Sequence, residues 1–203
     1  MIWFSKIKLL SSRVIIIIIV IAIFIAFLAW LFIESSKPLP GQIIADLGRG
    51  HVPIGENVDY NSNPPTSGKH YEEWIRAGVY ESEKDDRNLV HSLEHGYVIL
   101  HYKCNSSVIP SESEGSQDLE SEDSSPSAQN DVNEDCEERK NQLIQIYEKK
   151  GKRKLIVIPR SNLDTNFALT AWTYLDKFDN FDGDRIEKFI DTHRDQGPEQ
   201  TME

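Results

Sequence analysis

Cysteine is scarce in this sequence, since only two of its 203 residues are cysteine. So low a number excludes a small domain held together by several disulfides, and it provides no Cys-x-x-Cys pair of the kind common in zinc and redox sites. The chain also lacks both common phosphate-binding loops, Gly-x-Gly-x-x-Gly and Gly-x-x-x-x-Gly-Lys-Ser/Thr. Candidate chemistry must therefore come from other residue types.

Basic residues are not in surplus either. The chain contains 22 Lys and Arg against 33 Asp and Glu, a net charge of -11. A nucleic-acid partner requires a basic face that displaces counterions from phosphates, so we expect no nucleic-acid binding. The acidity is local, because residues 105–138 contain 11 acidic residues and no Lys or Arg, which leaves 22 acidic against 22 basic residues elsewhere.

One long apolar run lies near the N-terminus. Residues 14–33 are 20 consecutive apolar residues, and a helix of that length spans about 30 Å, the thickness of the hydrocarbon core of a bilayer. We predict a transmembrane helix that contacts membrane lipid. A cleaved signal peptide is the alternative, but residues 30–34 (WLFIE) offer no small-residue cleavage site.

The charges beside this run predict its orientation. Lys6, Lys8 and Arg13 precede it, whereas Lys37 follows it after a glutamate. Positively charged flanks remain on the cytoplasmic side. The sequence therefore predicts a single-pass protein of the cell membrane, with residues 1–13 in the cytoplasm and the C-terminal domain outside the cytoplasm.

The remaining chain divides by composition. Residues 34–40 form a short proline-containing tether, and residues 41–203 form the extracytoplasmic domain. Within that domain, residues 105–135 are rich in Ser and acidic residues and poor in apolar ones. Such a segment buries too little apolar surface to compensate for the conformational entropy that it would lose on folding. We therefore predict a disordered acidic insertion.

Regular elements are predicted on both sides of this insertion. Apolar runs indicate strands at residues 96–102, 155–158 and 167–175, and helical periodicity indicates a helix at 138–150. A last helix, capped by Asp184, has three apolar residues and His193 on one face. This order predicts the α+β fold class, a small sheet-and-helix domain behind the N-terminal transmembrane helix.

The two cysteines flank the insertion. Cys104 ends the predicted strand before it, and Cys136 precedes the predicted helix after it. If the insertion is a spacer, the two ends of the fold approach each other there, and a compartment outside the cytoplasm permits a disulfide. We predict a bond between Cys104 and Cys136, contributing roughly 3 kcal/mol in the chain-entropy description. Two free thiols are the alternative.

Histidine is the residue type that carries candidate chemistry, since five of the six histidines fall within a stretch of 51 residues. His91 and His95 lie four positions apart, so one helical turn directs both imidazoles to the same side, which suits a single metal ion. His70 closes a proline-containing loop and His51 follows a glycine-containing turn. We predict that these four histidines bind one transition-metal ion, zinc or copper, with Glu94 orienting an imidazole or acting as a base.

Other interpretations of these residues stay open. The histidines are structural if the domain is a non-catalytic envelope interaction module. The sequence His91-Ser92-Leu93-Glu94-His95 also matches the inverted zincin motif of metal-dependent hydrolases, although we find no compelling distant Glu ligand. Ser67 near His70 lacks the Gly-x-Ser-x-Gly context of many serine hydrolases. Whether the protein is an enzyme, and which proteins it binds, is undecided by the sequence.

Several ordered motifs resemble a known prokaryotic family. They are Pro64-Pro65-Thr66-Ser67-Gly68-x-His70, Val90-His91-Ser92-Leu93-Glu94-His95-Gly96 and Leu169-Thr170-Ala171-Trp172. Together they are similar to the family called domain of unknown function 3105, over residues 40 to 199. The resemblance implies an N-terminal membrane helix followed by one domain, and it implies no activity. Many members of that family lack an insertion as long as the one found here.

Overall fold

The computed structural model describes residues 12–35, 39–104, 126–199 and 201. The chain separates into two compact units, Met1–Leu39 and Pro40–Glu203. The first contains helix α1, and the second contains six strands and three helices among its described residues. The elements are α1 (Ser12–Ser35), β1 (Gln42–Ile43), β2 (Gly78–Val79), α2 (Asp86–Glu94), β3 (Val98–Tyr102), α3 (Pro126–Lys149), β4 (Leu155–Pro159), β5 (Phe167–Ala171), β6 (Tyr174–Phe178) and α4 (Gly183–His193).

Helix α1 covers the predicted apolar run. Its segment Ile15–Phe32 has a mean hydropathy of 3.4, and none of that segment is buried within the protein. By length and composition this helix is able to cross a bilayer, and a signal sequence shares the same properties. Most of the basic N-terminal flank, on which the predicted orientation depends, lies outside the described residues.

The second unit is built on one mixed sheet in the order β1-β6-β5-β3-β4-β2. Strands β3 and β4 are parallel and are connected through α3, and β2 also lies parallel to β4. The other pairs, β3 with β5, β5 with β6 and β6 with β1, are antiparallel. A mixed sheet with helices packed against it confirms the predicted α+β class.

Each face of the sheet has its own hydrophobic core, because neighbouring residues of a strand point to opposite faces. In β3, for example, Leu100 joins one core and Ile99 joins the other. The first core is shared with α3 and α4, and its buried helical residues include Leu143, Ile146, Ile186, Phe189 and Ile190. The second core is shared with α2, through Leu89 and Leu93. Helix α2 carries the candidate site, so the site lies on the second face.

The predicted strand at residues 167–175 was wrong in its length. Strand β5 ends at Ala171, and β6 begins at Tyr174 and pairs with it, so Trp172 and Thr173 form the connection of a hairpin. The sequence has no Gly, Asn or Asp there to signal a turn. Thr173 adopts a positive φ of 63°. Tertiary contacts hold it, since its N–H donates to the carbonyl of Thr66 and its own carbonyl accepts from the N–H of Ile44.

Helix α3 begins at Pro126, twelve residues earlier than predicted. Residues 126–135 of the predicted disordered segment 105–135 belong to this helix, and residues 105–125 lie outside the described residues, so their disorder stays a prediction. Leu143 and Ile146 pack the C-terminal half of α3 into the core. Once a helix is nucleated, each further turn costs little, so the helix extends into the acidic sequence.

The two cysteines lie next to each other. Their sulfur atoms are at disulfide distance and their Cα atoms are 5.1 Å apart. Cys104 follows β3 and Cys136 lies in α3, so the pair joins the two ends of the acidic segment, as predicted. Helix α4 differs slightly from its prediction, because Asp182 rather than Asp184 caps it, accepting a hydrogen bond from the N–H of Arg185.

Candidate metal centre

Backbone pairing between two loops places His51 beside His70. The carbonyl of Gly50 accepts from the N–H of His70, and the carbonyl of His70 accepts from the N–H of Val52. These bonds form a short parallel bridge between His51 and His70. A third bond, from the N–H of Gly68 to the carbonyl of Gly48, extends the pairing. The centroids of the two imidazole rings lie 5.2 Å apart as a result.

Helix α2 supplies the other side of the site. Asp85 caps its N-terminus by accepting from the N–H of Arg87. His91 and Glu94 lie three positions apart, hence on one face of the helix. The helix ends at Glu94, and Gly96, two residues later, has a φ of 80°, a left-handed conformation that favours glycine. This stop leaves Glu94 and His95 at the C-terminal end of the helix, beside the paired loops.

Four side chains converge between the loops and the helix. One ligand atom from each of His51, His70, His91 and Glu94 lies within 4.8 Å of the other three. His70, His91 and Glu94 are buried, whereas His51 is exposed. Neighbouring ligand atoms of a tetrahedral zinc ion, with bonds of about 2.0–2.1 Å, lie about 3.3 Å apart. A bound ion therefore requires the most widely separated of the four groups to approach each other by up to about 1.5 Å.

His70 and Glu94 have the arrangement most typical of metal ligands. Nδ1 of His70 lies 2.8 Å from the carbonyl oxygen of Gly68, which only accepts, so Nδ1 carries the proton. Its Nε2 lies 2.8 Å from Oε2 of Glu94, yet it makes no hydrogen bond with that oxygen or with another described residue. A bare imidazole nitrogen and a carboxylate oxygen repel each other at this distance unless a proton or a metal ion lies between them. Two ligands of one zinc ion lie about 3 Å apart.

His95 lies beside this group but is not one of the four among the described residues. Its ring centroid is 4.5 Å from that of His91 and 4.9 Å from that of Trp74. Its Nε2 is 3.9 Å from Oε1 of Glu199. The structure thus brings together three of the four histidines predicted from the sequence, and places Glu94 where His95 was expected. The ligand set itself stays a prediction.

His91 is suited to bind a cation because its imidazole remains neutral. Burial, followed by the neighbouring His95 and His70, lowers the pKa of His91 from 6.5 to about 4. A neutral imidazole offers a lone pair without first releasing a proton, and metal binding competes with protonation. Glu94 supplies the one negative charge within the group.

The C-terminal segment holds the end of α2, which sequence reasoning did not predict. The carbonyl of Glu94 accepts from the N–H of Glu199, and the carbonyl of Gly96 accepts from the N–H of Asp195. Buried Lys154 donates to the carbonyls of His95 and Thr201. In the sequence, the glycines at 96 and 197 could have indicated this contact, because two backbone segments approach so closely only where a side chain is absent.

Three other polar residues have structural roles. Oγ of Ser67 accepts a hydrogen bond from the N–H of Leu47, which ties the loop together. His101 lies with Nε2 3.2 Å from Oγ1 of Thr170, and His193 lies with Nε2 2.8 Å from the carbonyl oxygen of Pro40. These two histidines therefore make polar contacts with other parts of the fold and do not belong to the metal group.

Because several of its histidines are buried, we expect the domain to lose stability in mild acid. Burial lowers the pKa of His91, His101 and His193 below their ordinary 6.5. The unfolded chain then takes up protons first as the pH falls, so this stability is complete above about pH 6.5 and is lost towards about pH 4. Urea unfolding of the metal-free chain, followed by tryptophan fluorescence from pH 7 to pH 4, measures it. His101→Gln keeps the polar atom near Thr170 and should flatten the slope, whereas a constant stability from pH 6.5 to pH 5 contradicts the prediction.

Comparison with known proteins identifies the family. The model of the family described as protein of unknown function (DUF3105) matches residues 51–114 and 132–203, more than half of the chain. The chain therefore belongs to this family, as its motifs predicted. No curated protein matches the chain, and no solved structure does so either. All four converging side chains lie within the first matched segment.

Proposed function

We propose that this member of the family binds one divalent transition-metal ion through His51, His70, His91 and Glu94. Three imidazoles and one carboxylate suit zinc, copper or iron. The observation that carries the proposal is the buried contact between His70 and Glu94, in which two electron-rich atoms face each other without a hydrogen bond. The hydrogen bond from Nδ1 of His70 to a backbone carbonyl is the usual way in which proteins orient a histidine ligand.

The choice between Glu94 and His95 follows from their positions. Glu94 is buried against His70, and its carboxylate compensates charge at the centre of the group. His95 contacts Trp74 and lies towards Glu199 in the C-terminal segment. We therefore assign Glu94 as a ligand and His95 as a neighbour that packs against His91.

The location of the metal-binding domain belongs to the same proposal. The apolar helix α1 has the length of a membrane span, and the lysines and arginine that precede it favour a cytoplasmic N-terminus. The cysteine pair fits a domain outside the cytoplasm, where disulfides persist. Protease accessibility of the domain in intact spheroplasts tests this orientation.

Metal content of the full chain tests the function. The protein is purified in detergent without a His tag or chelator, loaded with zinc, desalted and measured by plasma mass spectrometry. We expect close to one ion per chain. Glu94→Gln should weaken zinc binding about 100-fold, because it removes the anionic ligand, whereas His95→Ala should weaken it less than about tenfold.

The two variants separate the possible ligand sets. A loss with His95→Ala and retention with Glu94→Gln would overturn the assignment in favour of the histidine pair. No zinc or copper bound by the parent chain would overturn metal binding altogether, and the histidines would then be structural parts of an interaction module. Circular dichroism of each variant shows that the domain is folded.

A further inference from the structure

We infer that the metal centre binds a small oxyanion, a carboxylate or phosphate group, between the metal ion and the guanidinium of Arg49. This inference rests on the proposed metal binding and names the class of ligand that the site recognises. It follows from where the site is open, from the position of Arg49 and from the balance of charge.

The centre is accessible from one side. His70, His91 and Glu94 are buried at 4% exposure or less. His51, by contrast, is exposed, and it lies in the same loop as Arg49, whose side chain is 53% exposed. A ligand that arrives from solvent therefore reaches the metal ion past this loop.

Arg49 lies beside the metal group and makes only a long ion-pair contact with it. Its Nη1 lies 3.6 Å from Oε1 of Glu94, longer than the roughly 2.7–2.9 Å of a charge-assisted hydrogen bond. This is its only ion pair among the residues that the structure describes. Backbone bonds to residues 48 and 50 fix the loop on both sides of it. A guanidinium with free donors matches the two oxygens of a carboxylate or phosphate.

The charge of the loaded centre favours an anion. Neutral imidazoles and one carboxylate leave a divalent ion with an uncompensated positive charge, and the guanidinium adds a second one. At the C-terminal end of α2, the helix dipole does not attract an anion, so these two cations provide the attraction. A carboxylate that coordinates the ion as a fifth ligand and accepts from Arg49 neutralises one of these charges, and a phosphate dianion neutralises both.

Cobalt spectroscopy on the full chain tests the inference. Cobalt(II) replaces zinc as a visible probe, and acetate or inorganic phosphate is titrated against its absorption bands, with acetamide as the neutral comparison. We expect saturable changes with at least one anion and none with acetamide. Arg49→Ala should weaken the anion about tenfold or more while cobalt still binds.

Arg185→Ala is the matched control. Arg185 is also a half-exposed arginine beside a buried carboxylate, that of Asp176, but it lies in α4 against the other face of the sheet. The Arg185→Ala variant should leave the anion affinity unchanged. Cobalt binding without an anion response, or an anion response that Arg49→Ala does not weaken, overturns the inference and leaves the metal proposal standing. Absence of cobalt binding overturns the inference, and the zinc measurement described above decides the metal proposal separately. A response to acetate only or to phosphate only identifies the preferred oxyanion.

Discussion

Replacing His70 should reduce bound metal from about one ion per chain to background. His70 is fully buried, and its Nε2 lies 2.8 Å from the Glu94 carboxylate at the centre of the group. Removing a ligand should cost more than the 10–100-fold that is typical of losing a residue that only orients one. We therefore expect at least about a 100-fold loss of zinc affinity, measured by competition with a chromophoric chelator.

His70→Asn distinguishes ligand loss from unfolding. The asparagine amide can replace Nδ1 as donor to the carbonyl of Gly68, but nothing replaces Nε2. This variant should remain folded and still lose the metal, as His70→Ala does.

His193→Gln is the matched control for the same experiment. His193 is also buried and also contacts a backbone carbonyl, but it packs against α4 and β6 residues away from the metal group. It should retain a full metal complement. Equal zinc affinity in the parent and in a folded His70→Asn variant contradicts the assignment of His70.

Gly197→Ala should destabilise the domain and weaken metal binding together. A Cβ at this position would overlap the carbonyl oxygen of Glu94 and the backbone nitrogen of Gly96. Both are backbone atoms that cannot rotate away, so the C-terminal segment must lift or the end of α2 must move. We expect a loss of about 1–3 kcal/mol in the free energy of unfolding and a zinc affinity lowered about tenfold. Urea unfolding and zinc competition measure the two effects.

Gly183→Ala is the control for the presence of a methyl group. Gly183 is the first residue of α4, and a Cβ there would meet its nearest neighbour, Cδ1 of Ile146, at an ordinary 3.6 Å. Alanine in a helix is favourable relative to glycine, so this variant should be as stable as the parent or slightly more so. If Gly197→Ala matched the parent in both measurements, the C-terminal segment would have no part in shaping the site.

Much of the scaffold could be predicted because its signals are local. The apolar run at residues 14–33 predicted α1, and the helical periodicity of residues 138–150 predicted the C-terminal half of α3. Strands β3 and β4 followed from short runs of apolar residues. The placement of Cys104 and Cys136 on either side of an acidic segment predicted their pairing, because a spacer leaves the two ends of the fold together.

Other features of the fold depend on contacts that no local pattern records. The turn at Thr173 is held by backbone bonds to Thr66 and Ile44, residues far away in the sequence. The N-terminal extension of α3 follows from packing and nucleation further along the helix rather than from its own acidic sequence. In both places tertiary interactions outweigh the preference of the individual residues.

The sequence by itself determined the chemistry that is available: clustered histidines, one acidic residue between two of them, few thiols and a long apolar helix. Only the tertiary structure decided which of those groups meet. The four-residue spacing of His91 and His95 indicated that both lie on one face of the helix. The three-residue spacing of His91 and Glu94 places that pair on one face equally well. The register of the loop that carries His70 places it against Glu94. A metal site is a set of distances between atoms on separate elements, and those distances are fixed only when the elements pack.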